Sequence, residues 1–346
     1  MQDKSSNINL NPINHKVNKR MSAQTLSIIC PVYNEEVVVS LFMERILSIL
    51  SRIEEQYGYQ VDLIFSDNCS TDATLDKIHQ IAQDYSNIYY ISLAKNVGYQ
   101  RSLHCALSKC TGDLIVIIDV DCEDPPEMIL EFIEAYHKGY DVVYGERVDR
   151  ADEPKYLQNM RKLFYRLTRL LADDEIILDM AEFSLMTREV RDAILREKNS
   201  FPFIRASIGR VGFKRLGIPY KRQKRIAGKT HYNFYRMTLF AVTGILSSTT
   251  MPLRLPMYAL PFWLIAIIAS GLWFGVTASS AALATLITLM GCYLGITVAF
   301  IAIYVARTYR NALDHPNWIV RHHLSRLPGE DRIKTEKFDT PLKEVI

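Results

Sequence analysis

GDLIVIIDVDCEDPPEM, residues 112–128, is the stretch that decides how this chain is read. Its aliphatic run, 114–118, has the content of a buried strand, yet the run ends in four carboxylates: Asp119, Asp121, Glu123 and Asp124. Asp119 and Asp121 are two apart, so in an extended chain their side chains point the same way. Neighbouring carboxylates repel unless a cation lies between them, and hard oxygen donors suit Mg2+ or Mn2+. A cation held only partly by protein would bind the diphosphate of a nucleotide and stabilise it as a leaving group. Glu123 would add a further ligand. The same acids also suit the start of a helix near Pro125, with Asp124 as its cap and Glu127 in the first turn.

Working outward from this stretch, β-rich runs alternate with helical patterns. LSIIC (26–30), VDLIFS (61–66), IYYISL (88–93), DLIVIID (113–119) and YDVVYG (140–145) are predicted strands. Residues 35–53, 72–84 and 99–109 carry apolar side chains at helical spacing. Such alternation predicts a parallel α/β sheet covered by helices on both faces. Ligands of these sheets bind beyond the carboxyl ends of the strands. PVYNE follows the first strand, DNCSTD the second and DVDCED the fourth, so three polar strand ends point to one site. GxGxxG and GxxxxGK[ST] are both missing, which argues against a dinucleotide fingerprint and a P-loop.

The 346 residues suffice for one large domain or two smaller ones. A formal charge of +3 gives by itself no case for nucleic acid, and the charge distribution says more. No carboxylate occurs between Glu197 and Asp314, and residues 198–254 hold twelve Lys or Arg. Residues 255–306 then contain no Asp, Glu, Lys, Arg or His. That length suits two transmembrane spans, near 256–275 and 282–306, with GVTASSAA (275–282) at the turn. The alternative is a helical hairpin buried in a soluble core. Arg254 precedes the pair and Arg307, Arg310 and Arg321 follow it, so both outer ends are expected on the cytoplasmic side. Trp263, Trp273 and Tyr304 would lie near the interfaces. The basic stretch before the spans is expected to meet anionic head groups, and NFYRMTLFAVTGILSS (233–248) to lie along the surface as an interfacial helix. The first 25 residues have no apolar core of a signal peptide and read as a mobile polar tail. Six scattered cysteines without a CxxC pair suggest reduced thiols.

PVYNEE, SDNCSTDAT, NVGYQ, DVDCEDPPEMI, YDVVYGER, EFSLMTREV and RIAGKTHY, in this order and followed by two spans, resemble the family 2 glycosyltransferases of the GT-A fold. More narrowly, the chain is similar to the membrane-anchored polyprenyl-phosphate glycosyltransferases, which include dolichyl-phosphate mannose synthases and bacterial GtrB-type enzymes. The resemblance implies roles. Pro31, Tyr33 and Glu35 would line the nucleotide pocket, and Asp67 would bind the base or ribose. Asp119 and Asp121 match the family's DxD, with Asp121 catalytic and Glu123 as a third metal ligand where an amide is usual. Arg147 matches the arginine that ends the GxR strand. Arg147, Arg161, Arg225 and Thr230 would bind the acceptor phosphate, with Arg147 and Arg225 also serving catalysis; a guanidinium offers a planar fork to phosphate oxygens. Glu182 would act as a base or orient a hydroxyl. The chain departs from the pattern at Cys122, Ser184, Lys229 and His231, where Leu, Arg, an acid and Lys are common.

The resemblance implies an inverting transfer of a sugar, UDP-glucose first, to a polyprenyl phosphate such as undecaprenyl phosphate, with Mg2+ or Mn2+ as cofactor. It places residues 26–230 in the catalytic domain, 231–254 at the membrane surface, 255–306 in two transmembrane helices and 307–346 in a cytoplasmic tail. The expected location is a bacterial inner membrane, with the catalytic domain and both termini cytoplasmic and membrane lipids as neighbours; a homo-oligomer is compatible with the sequence. Two rivals stand beside this reading. A processive polysaccharide synthase would carry QxxRW, and the nearest string here, QNMRK (158–162), lacks the Trp. A non-catalytic receptor for a nucleotide sugar or anionic lipid would have no need of the acidic pair.

Overall fold

The computed structural model describes residues 25–147, 177, 180–197, 199–226 and 249–329. The expected tail (1–25, apart from Thr25), Arg161, the 227–230 stretch with Lys229 and Thr230, His231, the expected interfacial helix (233–248) and residues 330–346 lie outside these.

Seven strands form one sheet in the order β3-β2-β1-β4-β6-β5-β7. They are β1 (Thr25–Val32), β2 (Gln60–Asp67), β3 (Ile88–Ser92), β4 (Leu114–Ile117), β5 (Val142–Arg147), β6 (Met180–Thr187) and β7 (Arg215–Tyr220). The first five fall on the runs read from the sequence. The period of two is visible in β1: Leu26, Ile28, Cys30 and Val32 join one hydrophobic cluster, while Ile29 faces the other. Helices α1 (Val38–Tyr57), α2 (Thr74–Asp84) and α4 (Met128–His137) and helices α3 (Tyr99–Lys109), α5 (Arg188–Leu195) and α6 (Ile204–Val211) supply the two covering layers. In α1 the buried positions 38, 39, 42, 43, 46, 49, 50 and 53 trace one stripe. The helix stops at Gly58, left-handed at φ +67°, whose N–H donates to the Glu54 carbonyl.

The sheet is mixed, not wholly parallel as the alternation predicted. β6 pairs antiparallel with both β4 and β5, while the remaining pairings are parallel. A β-rich run carries no mark of its direction, which is set by the connection leading into it. The reversal has a consequence for chemistry: it carries Glu182, on β6, alongside the carboxyl end of β4.

Two further helices, α7 (Met251–Thr277) and α8 (Ser280–Ala312), are long and apolar enough to cross a membrane. They break only at Ala278 and Ser279, inside the expected turn. Outward-facing Phe262 (74% exposed) and Val276 (86%) are not covered by the described residues. The pair is joined by Tyr293 Oη donating to the Pro256 carbonyl at 3.3 Å and by Tyr304 Oη donating to that of Thr249 at 2.9 Å. The chain after α8, expected as a tail, instead returns to the sheet through antiparallel bridges Leu93–Val320 and Tyr90–Arg326 along the outer edge of β3.

The close approach of β1 to the start of β4 needs a glycine. A Cβ on Gly112 would lie 2.6 Å from the Ser27 backbone nitrogen and 2.7 Å from the Leu114 carbonyl oxygen, atoms fixed in the sheet. Gly112→Ala is expected to destabilise the protein by about 1–3 kcal/mol, seen as a lower melting midpoint beside the parent protein.

Candidate active site

Three loops meet at the carboxyl edge of the sheet, after β1, β2 and β4, and each contains a non-glycine residue in the left-handed region: Asn34 (φ +56°), Cys69 (φ +64°) and Cys122 (φ +54°). Each such conformation costs about 1–2 kcal/mol and persists where its surroundings over-determine it. Here the surroundings are interlocking hydrogen bonds. The Asn34 N–H donates to Ser70 Oγ (3.0 Å), the Thr71 N–H to Asn34 Oδ1 (2.8 Å) and the Glu35 N–H to Thr74 Oγ1 (2.8 Å). Asp67 has no exposure to solvent. Its Oδ1 accepts the Ser70 N–H at 3.0 Å and its Oδ2 the Ser92 hydroxyl at 3.5 Å, so the carboxylate sits behind the loop. Pro31 is buried near the end of β1, paired in register with Ser66, and Tyr33 follows, partly exposed.

The four acids of the opening stretch separate into different environments. Asp119, half-buried, accepts a hydrogen bond from Tyr99 Oη at 2.8 Å. Burial first, then the charges of Asp121 and Asp124, push its pKa up to about 7. Burial, with Asp119 next, likewise raises Tyr99, which keeps the phenol protonated and donating. Asp121 Oδ1 accepts the Glu123 N–H at 3.1 Å, and its other oxygen lies 3.6 Å from Arg225. Glu123 turns to Arg222; burial and Asp121 raise its pKa.

Asp124 is not the helix cap that the sequence suggested. It is buried, accepts a hydrogen bond from Tyr220 Oη, and lies 3.4 Å from Arg147 Nη2. Helix α4 begins at Met128 with no side-chain cap, its first turn closed by the Met128 N–H donating to the Pro125 carbonyl. A fully enclosed carboxylate needs a countercharge more than a helix end needs a cap. Arg147 also donates from Nε to Tyr220 Oη at 3.1 Å. Burial works to lower its pKa, but Asp124 and Tyr220 outweigh it and leave the arginine more firmly charged.

Residues 221–226 lie as a strap across the acidic loop. The Gln223 N–H donates to the Glu123 carbonyl (2.8 Å) and the Ile226 N–H to that of Asp121 (3.1 Å). This seats Arg225 between Glu35 of the first loop and Asp121 of the third. Glu182 is 6% exposed. Its Oε1 accepts from Gln100 Nε2 and Arg205 Nε, each at 2.8 Å, while Oε2 is buried without a hydrogen-bond partner among the described residues. The structure thus brings together Glu35, Asp119, Asp121, Glu123, Arg147, Glu182 and Arg225. Sequence reasoning passed over Tyr99 and Gln100, although both lie in NVGYQ, and over Arg205, Tyr220 and Arg222, which lie within the basic stretch 198–254.

The expected three-carboxylate metal set is not assembled: among the described residues no group of three His, Cys, Asp or Glu is gathered for a metal ion. Glu123 is drawn off by Arg222. Asp119 and Asp121 still suit a divalent cation, since the two carboxylates lie close enough for the charge of Asp121 to add to burial in raising Asp119, and both offer hard oxygens. Two carboxylates completed by water and phosphate oxygens are a usual set for Mg2+.

Residues 27–195 match the family model of Glycosyl transferase family 2. Over 309 residues the chain is 31% identical to the uncharacterized glycosyltransferase YkcC of Bacillus subtilis (strain 168), covering 85% of this chain and 93% of that protein. It is 30% identical to the prophage bactoprenol glucosyl transferase homolog of Escherichia coli (strain K12), with 86% and 98% covered. To the bactoprenol glucosyl transferase of Shigella phage SfX it is 29% identical, with the same coverage of 86% and 98%.

A raised acid fixes the sign of one pH effect. Between the unfolded aspartate value of about 3.9 and about 7, folded Asp119 keeps a proton that the unfolded chain has lost. Stability without divalent cations should therefore fall as pH rises through that window. Asp119→Asn should flatten the decline, as read from melting midpoints at pH 5 and pH 8 in EDTA.

Proposed function

The chain belongs to glycosyl transferase family 2, and from that membership we propose that it transfers glucose from UDP-glucose to a polyprenyl phosphate, undecaprenyl phosphate in the first instance. The product is a lipid-phosphate-linked glucose with inverted anomeric configuration. The observation that carries this reading is the Asp119–Asp121 pair at the end of the central strand, flanked by Arg225, in a chain that matches bactoprenol glucosyl transferases along almost their whole length. Helices α7 and α8 anchor the enzyme, with the catalytic domain on the cytoplasmic side, where donor nucleotides and the carrier's phosphate meet.

Asp119 and Asp121 would hold Mg2+ or Mn2+, which would offset the charge of the donor diphosphate and of the departing UDP. Tyr99 orients Asp119 through its hydroxyl. Pro31, Tyr33 and Glu35 line the nucleotide pocket and Asp67 supports its base side from behind the loop. Arg225, freed from Glu35 as the diphosphate enters, and Arg147 supply positive charge to phosphate oxygens; Arg161 and Thr230 extend that charge and hydrogen bonding to the acceptor. The acceptor phosphate is ionised at neutral pH and attacks the anomeric carbon in line, so no strong base is needed. Glu182 instead uses its unpartnered Oε2 to accept a sugar hydroxyl, while Gln100 and Arg205 fix its Oε1.

Purified enzyme with UDP-glucose, undecaprenyl phosphate and Mn2+ should release UDP only when the lipid is present. Replacing Asp119 and Asp121 together by Asn should lower turnover by at least about a hundredfold; unchanged turnover and cation dependence would remove the proposed chemistry. UDP binding without lipid-dependent release would favour the receptor. Glu182→Gln should lower kcat by about ten- to a hundredfold with a smaller change in donor KM, measured by steady-state kinetics.

A further inference from the structure

The segment that follows the second long helix ends beside the nucleotide side of the site. Only five residues, 313–317, separate α8 from Trp318, whose ring packs 5.2 Å from that of His104 on α3. From there the chain follows the β3 edge. The Ala94 N–H donates to the Ile319 carbonyl (2.9 Å), the Arg321 N–H to that of Ser92 (2.8 Å) and the Arg326 N–H to that of Tyr90 (2.8 Å). Arg326 reaches across the edge to the carbonyls of Ala82 (2.7 Å) and Ser86 (2.8 Å), and Leu327 is buried in the core. These contacts set Arg321: its Nη2 donates to Ser92 Oγ at 2.7 Å and lies 3.9 Å from Asp67 Oδ2.

Asp67 is an enclosed carboxylate whose direct hydrogen-bond partners among the described residues are one backbone N–H and one hydroxyl, so a nearby guanidinium matters to it. A continuous relay results. Arg321 donates to Ser92, Ser92 donates to Asp67, Asp67 accepts the Ser70 N–H, and Ser70 Oγ accepts the Asn34 N–H in the loop that carries Glu35. The far end of the segment is equally fixed. The Ser200 N–H donates to Asn311 Oδ1 (3.0 Å), Asn317 Nδ2 donates to the Asn199 carbonyl (3.1 Å), and Arg101, Arg307 and Arg310 gather around the Phe201 ring.

We infer that residues 318–327 are a clasp through which the two-helix anchor sets the shape of the donor pocket, with Arg321 as the positioning residue for Asp67. The inference rests on the donor-site reading above and assigns a task to a segment that neither the sequence motifs nor the acidic pair involve.

Full-length enzyme in lipid nanodiscs tests it through UDP binding in the presence of Mn2+ and through separate KM values for donor and acceptor. Arg321→Gln should raise the UDP Kd and the donor KM about tenfold, with kcat and acceptor KM within about twofold. Arg321→Lys should recover most of the loss. Arg326→Gln, which loosens the clasp without touching Asp67, should shift the donor KM in the same direction by less. The donor-to-acceptor KM ratio is insensitive to the fraction of folded protein, so partial misfolding cannot mimic the result. An unchanged donor KM in Arg321→Gln, or equal changes for donor and acceptor, would overturn the clasp. Parent enzyme that binds no nucleoside diphosphate would overturn the donor reading itself, and the clasp's task with it.

Discussion

Negative charge crowded at the carboxyl edge of one sheet is the constraint around which the rest of this molecule is arranged. Glu35, Asp119, Asp121, Glu123, Asp124 and Glu182 come from two strand ends and a reversed strand, and burial makes their mutual repulsion costly. The protein answers with arginines placed one by one. Arg147 neutralises Asp124, Arg205 holds Glu182, Arg222 takes Glu123, and Arg225 bridges Glu35 and Asp121. Asp119 is hydrogen-bonded to a phenol, and burial, followed by the charges of Asp121 and Asp124, raises its pKa to about 7. The proposed divalent cation would offset the charge that remains there.

The arginines come from late in the chain for a geometric reason. Early strands supply acids because their carboxyl ends converge; the countercharges must approach from outside that edge. The strap at 221–226 does so by backbone hydrogen bonds to 121 and 123, which place Arg222 and Arg225 without relying on their own side chains. Charge and backbone pairing therefore reinforce each other. The same division holds beneath Asp124, where Tyr220 at the end of β7 and Arg147 at the end of β5, paired in register, meet one carboxylate.

Much of this was legible in the sequence because the signals were local. Strands β1–β5 are dense β-branched runs, and the charge-free 255–306 stretch admits few structures. What stayed hidden depends on direction and distance. β6 is fully buried along seven of its eight residues, yet nothing in MAEFSLMT says that it runs against its neighbours. Asp124 looked like a cap because a cap is a local feature, whereas its partners lie 23 and 96 residues away. The segment WIVRHHLSR (318–326) carries only a short apolar run, so its place on β3 was not visible. Tyr99 and Gln100 lie within NVGYQ, but their partners Asp119 and Glu182 emerge only once α3 is laid against the sheet.

The pairing of β3 with the segment after α8 also orders events in time. Ser92 and Arg321 are 229 residues apart, so at a synthesis rate of about 5–20 residues per second the ribosome needs on the order of ten seconds or more between them. During that interval the outer edge of β3 stands open, and open edges invite wrong partners. Asp67 meanwhile lacks its distant countercharge. The edge of β3 therefore stays open until the segment after α8 has emerged, and it closes only after both long apolar helices have been made.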